Sequence, residues 1–153
     1  MSYYFLEKDY RKLVDEMQSI EARIKDIGKE MGASCQEGAE TFHDNFAYED
    51  GERQQYMWSK RLSELRAIRN MARVVHPESE PERVALGRLV SVLDEDTDEI
   101  TTYRIGSYMT FDGNRTISYS APLARLLIGA EKGDVRSGIV SGKKRSFLVV
   151  DIR

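Results

Sequence analysis

The stretch LEKDYRKLVDEMQSIEARIKDIGKEM, residues 6–31, places apolar side chains at Leu6, Tyr10, Leu13, Met17, Ile20, Ile24, Ile27 and Met31. Their spacing alternates between four and three residues, which is the a/d seam of a coiled coil. The pattern breaks in a polar segment from Cys35 to Thr41, and a second helical stretch returns through Trp58, Leu62, Leu65, Ile68, Ala72 and Val75. Two helices of similar length joined by a short polar connection predict an antiparallel hairpin, each burying its stripe on the other. At about 1.5 Å per residue, an arm of about thirty residues projects roughly 45 Å. A rod that long on a short chain is suited to carrying its tip to a target.

With 153 residues, of which 41% are hydrophobic and 32% charged, the chain is long enough for one domain or two small units with a folded core. The net charge of −3, from 23 basic and 26 acidic side chains, excludes bulk attraction to nucleic acid. Cys35 is the single cysteine, so no intrachain disulfide forms and a reducing compartment is expected. Met1 to Lys8 has neither a basic leader nor a long apolar run, and no later stretch approaches the length of a membrane span. The expectation is a cytoplasmic protein with no membrane contact.

The chain divides around His76-Pro77-Glu78-Ser79-Glu80-Pro81-Glu82, where two of its three prolines deny a helix its amide donors. The predicted organisation is a hairpin over 1–76 with its tip at about 37–50, a linker over 77–83, and a globular domain over 84–153. In the last part the period shortens. Leu89 to Leu93 reads as a strand ending at an Asp94-Glu95-Asp96 turn, Ile100 to Ile105 as a second ending at Gly106, and Thr116 to Tyr119 as a third. A short helix begins at Pro122, with Ser120 as expected N-cap and Gly129 just past its end. Ile139-Val140 and Phe147 to Val150 form a hairpin around Ser141-Gly142-Lys143-Lys144. The fold class is α+β: a helical hairpin followed by a small antiparallel sheet with one short helix.

These landmarks resemble the GreA/GreB family of bacterial transcript-cleavage factors. The resemblance rests on Val84-Ala85-Leu86-Gly87, Tyr103-Arg104-Ile105-Gly106, the run Ile117 to Arg125, Leu127-Ile128-Gly129 and Lys132-Gly133-Asp134. The chain departs from the family pattern at Ala121, where the family carries serine before the proline, and at Ala124, where it carries glycine. With the hairpin ahead of it, the resemblance covers nearly the whole chain and implies a globular domain like that of FK506-binding proteins.

The resemblance further implies a monomeric accessory factor, not an enzyme, that binds RNA polymerase beside its secondary channel. Ser120, Pro122, Leu123, Arg125, Gly129, Gly133 and Asp134 would hold the polymerase, and the hairpin would enter the channel. In the family, tip carboxylates help retain the second Mg²⁺ and a water, so that the polymerase hydrolyses backtracked RNA and arrested complexes restart. The protein would need no cofactor of its own, only the Mg²⁺ of the polymerase active site. Aligned on Asn45 and Tyr48, which would shape the tip, Asp44 falls on the family's functional Glu and Thr41 on its functional Asp. Asp44 is then the metal-related carboxylate, with Glu40 one residue before the vacated acid position as its partner. Thr41 supports an alternative: a paralogue that occupies the channel without stimulating cleavage, competing with cleavage factors or modulating initiation and pausing.

Other residues weigh against further chemistry. His43 has no His/Cys cluster around it, so zinc is not expected, and Cys35 lacks a C-x-x-C partner. Phe42 and Phe46 would either wedge into a channel or staple the tip onto Tyr48; the staple is the expectation. Arg61, Arg66, Arg69 and Arg73 recur along the returning helix, and contact with nascent RNA competes there with ordinary ion pairing to Glu64 and the acids of the first helix, the expected role. Gly28, Gly32 and Gly51 cost about 1 kcal/mol each in a helix interior and read as points where the distal hairpin bends or frays. Lys143-Lys144-Arg145 reads as a solubilising hairpin tip. A prolyl isomerase and a self-associating coiled-coil scaffold are the remaining alternatives, the first resting on fold alone.

Overall fold

A computed structural model describes residues 1–37, 46–77, 82–113 and 115–153. The chain divides into two compact units, Arg11–Met71, and Met1–Tyr10 with Ala72–Arg153. Most of the predicted tip (38–45) and of the predicted linker (78–81) lies outside the described residues.

The first unit is the helix pair, built on α1 (Glu7–Glu37) and α2 (Phe46–Met71). Leu13, Met17, Ile20 and Ile27 are buried on α1, as are Leu62 and Leu65 on α2. Each such side chain contributes about 1.5–3 kcal/mol when removed from water. The rims of the seam carry ion pairs, Arg61 to Glu16 at 3.7 Å and Arg66 to Glu21 at 3.1 Å, and the Arg23 guanidinium lies 5.3 Å from the centre of the Trp58 ring.

The seam is shorter than its apolar spacing predicts. Leu6 ends a strand, β1 (Tyr3–Leu6), and Ala72 and Val75 belong to a second, β2 (Ala72–Val75). The two pair in parallel, from Tyr3 opposite Ala72 to Leu6 opposite Val75. The aromatic run Tyr3-Tyr4-Phe5 and the pair Val74-Val75 favour a pleated backbone. A parallel pair also needs a long crossover between its strands, which the whole helical hairpin supplies.

The second unit also holds a five-stranded sheet in the order β5-β4-β3-β7-β6. Its strands are β3 (Leu89–Asp94), β4 (Ile100–Gly106), β5 (Thr116–Ser118), β6 (Val135–Val140) and β7 (Lys143–Ile152). All neighbours are antiparallel except β4 and β5, which pair in parallel, so the sheet is mixed. One helix, α3 (Pro122–Leu127), packs on β6, where a Cβ at Gly138 would lie 2.9 Å from Leu126 Cδ1. Val84, Val90, Val92, Ile105, Ala124, Leu127, Phe147 and Val149 form the core between helix and sheet.

Two local expectations shift. The β6–β7 turn is Ser141-Gly142, both at positive φ (54° and 79°), a two-residue connection whose twist matches the strands it joins. Lys143, Lys144 and Arg145 therefore belong to β7 and not to a loop tip. The residue capping α3 is Ala121 (φ −65°, ψ 147°), without a side-chain hydrogen bond, and not Ser120. The proline at the first helical position explains this, because the residue before a proline is driven to an extended backbone.

Candidate functional site

The residues expected to act fall in two places: the end of the hairpin and the surface around α3. At the hairpin end, Glu40, Thr41, Asp44 and Asn45 lie outside the described residues, as do Phe42 and His43. Tyr48 sits half-buried in the first turns of α2. Phe46 is 71% exposed, and the expected staple with Phe42 onto Tyr48 falls partly outside the described residues. Glu49 lies in the first turn of α2, where a carboxylate complements the positive end of the helix dipole. Asp50 accepts a hydrogen bond from the Gln54 side-chain amide at 2.7 Å. Among the described residues no group of three or more His, Cys, Asp or Glu side chains is placed to hold a metal.

Around α3, the seven residues picked from sequence separate by role. Pro122 and Arg125 are exposed on the helix. Leu123 is half-buried and packs against the core. The Ser120 hydroxyl shares a 2.8 Å hydrogen bond with that of Ser118, tying the segment ahead of the helix to the end of β5. Gly129 (φ +86°) and Gly133 (φ +92°) occupy the left-handed region that favours glycine. Asp134 accepts the Glu131 amide N–H at 2.9 Å through its carboxylate, closing the turn before β6. Pro122 and Arg125 thus lie on the surface, while Gly129, Gly133 and Asp134 shape the turns that follow the helix.

Sequence reasoning missed the surface beside this segment. An open groove of about 990 Å³ has Tyr4, Val75, His76, Leu86, Tyr119 and Ile128 in its lining. Tyr4 donates its amide N–H to the Tyr119 hydroxyl at 3.1 Å, and Tyr108 donates its amide N–H to the Tyr4 carbonyl at 2.9 Å. The Tyr3 and Tyr108 rings stack with centroids 4.0 Å apart. Burial, and then the neighbouring Tyr3 hydroxyl, push the Tyr108 phenol above its ordinary value. The available signal was the aromatic run Tyr3-Tyr4-Phe5, which the heptad reading passed over.

At the end of β3, Arg145 pairs with the buried Asp94. The Asp96 amide N–H, and after it Arg145, hold the Asp94 carboxyl below its ordinary range. Of the arginines on the returning helix, Arg61 and Arg66 are engaged with acids, in keeping with ion pairing at a few tenths of a kcal/mol each. Arg73 sits in β2. No helix among the described residues is long and apolar enough to cross a membrane.

Comparison with known proteins converges on one group. A family described as "Transcription elongation factor, GreA/GreB, C-term" matches residues 78–153. The transcription elongation factor GreA of Sulfurovum sp. is 34% identical over 149 residues, covering 91% of this chain and 87% of that protein. GreA of Nautilia profundicola is 34% identical over 128 residues, covering 82% and 78%. Among solved structures, the GreA factor homolog 1 (Gfh1) protein of Thermus thermophilus covers 100% of this chain and 99% of its own at 23% identity, with a TM-score of 0.43.

Proposed function

The chain belongs to the GreA/GreB family of transcription elongation factors, and from that premise we propose that it binds RNA polymerase at the secondary channel and stimulates cleavage of backtracked RNA. The globular unit docks the polymerase through the exposed Pro122 and Arg125, and the hairpin carries Asp44 and Glu40 to the active site. Mg²⁺ takes oxygen ligands, and when bound there it supplies the second metal of a two-metal hydrolysis. Asp44 and Glu40 bring carboxylate oxygens of the required type, and Thr41 brings a neutral hydroxyl. The reaction belongs to the polymerase; this chain orients and retains, and it acts in the cytoplasm as a monomer.

The observation that carries this reading is the 34% identity to GreA across 91% of the chain, joined to a carboxylate at Asp44. The test is RNA cleavage in halted, backtracked complexes, with the protein and with Asp44→Ala. Shortened RNA that depends on Asp44 supports cleavage stimulation.

Thr41 favours a second reading, because losing one of two carboxylates weakens cation retention. The chain would then occupy the channel as an antagonist. No shortened RNA, with inhibition of an authentic cleavage factor in the same tube, would select it.

A further inference from the structure

We infer that Gly28, Met31, Gly51 and Gln55 form a register latch that sets the height at which the hairpin presents its tip. The inference deepens the cleavage reading and rests on it. A Cβ added at Gly51 would lie 2.4 Å from Met31 Cγ and 3.0 Å from its sulfur. One added at Gly28 would lie 3.2 Å from the Gln55 side-chain nitrogen. That same nitrogen reaches the Ile24 carbonyl oxygen at 3.4 Å. Each helix therefore supplies one glycine and one long unbranched side chain, and each side chain covers the glycine opposite. Gly32, by contrast, faces open space.

The physical need is specific to this hairpin. A seam repeating every four and three residues is nearly self-similar, so apolar packing alone tolerates slippage along the axis. A slip of one helical turn moves one helix end by about 5.4 Å. Met31 fits over Gly51 in one register, and any other side chain of α2 at that place would bring a Cβ into its path. The latch lies close to the helix ends at Glu37 and Phe46. It therefore governs where the tip segment starts and returns, and with it the reach of Asp44.

Two measurements test it. Spin labels at Lys29→Cys and Arg53→Cys, both exposed, in a Cys35→Ser background, report the helix register in the free protein. Gly51→Leu is expected to shift or broaden the spin–spin distance, and the swap of Met31→Gly with Gly51→Met to restore it. Gly32→Ala should leave it unchanged. In the cleavage assay, Gly51→Leu should lower the rate at saturating protein about ten- to a hundredfold, the cost of misplacing a reacting group. The half-saturating concentration should hold, and the swap should recover the rate. Unchanged distances in Gly51→Leu, or a swap that fails to restore them, overturn the latch whether or not the wild-type chain cleaves RNA. A rise in half-saturation with no loss of maximal rate overturns its positioning role. A register shift reversed by the swap, in a wild-type chain that cleaves nothing, upholds the latch and removes the cleavage reading instead.

Discussion

The hydroxyl of Ser107 donates a 2.6 Å hydrogen bond to the carboxylate of Asp9, although the two lie 98 positions apart. The same oxygen accepts the Leu6 amide N–H at 2.8 Å, and both side chains are buried. Ser107 thus serves the end of β1 and the first turns of α1 at once, accepting a backbone N–H and donating to a buried carboxylate. Ser107→Ala should leave Asp9 and the Leu6 amide without this partner and cost about 1–3 kcal/mol. Equilibrium denaturation reads that loss directly, and an unchanged midpoint would show the hydroxyl to be dispensable.

Asp94 gives the protein an acid-sensitive contact. Its carboxyl is held below the ordinary range by the Asp96 amide and Arg145, so the folded state binds its proton less readily than the unfolded chain. The contribution is complete above the unfolded value of about 4 and disappears as pH falls through the lower folded value. Wild-type stability should therefore decline through the acid range, and Asp94→Asn should flatten that part of the profile. Denaturant midpoints collected from about pH 7 down to about pH 3 decide it, equal slopes counting against the assignment.

Gly87 has φ +90°, and a Cβ there would meet Pro77 Cγ at 2.9 Å. Gly87→Ala combines a strained backbone with a clash against a ring that cannot rotate away. A loss of about 1–3 kcal/mol is expected, measured as a lower melting temperature.

Surface and core of α3 should separate cleanly. Leu127→Ala should cost about 2–5 kcal/mol, because Leu127 is fully buried in the core. Arg125→Glu should leave the melting temperature in place and raise the half-saturating concentration for polymerase about tenfold. Equal stability losses from both would mean that Arg125 supports the fold and not the partner.

The residues from Leu13 to Ile27 were legible as a buried seam because helix periodicity is local, written in side chains a turn apart. The β3–β4 hairpin, the α3 segment and the glycine that follows it at 129 were legible for a similar reason. Strand alternation, proline at a helix start and glycine after its end are short-range signals.

Leu6 and Val75 show the limit. Each fits a helical stripe, yet each is a strand residue, because β1 and β2 find one another across nearly seventy residues of chain. Ser120 was displaced as cap by the backbone restriction that Pro122 imposes on Ala121. Lys143 and Lys144 left the turn once the two-residue Ser141-Gly142 connection closed it.

The sequence by itself determined the helical seam, the strand-rich second half and the family, since all three rest on periodicity or on ordered landmarks along one dimension. Tertiary structure alone decided that Tyr3 to Leu6 pairs with Ala72 to Val75, that Ser107 reaches Asp9, and that Met31 covers Gly51. Those contacts join residues far apart in the chain, and a close approach through a missing side chain leaves no periodic trace in the residues that flank it.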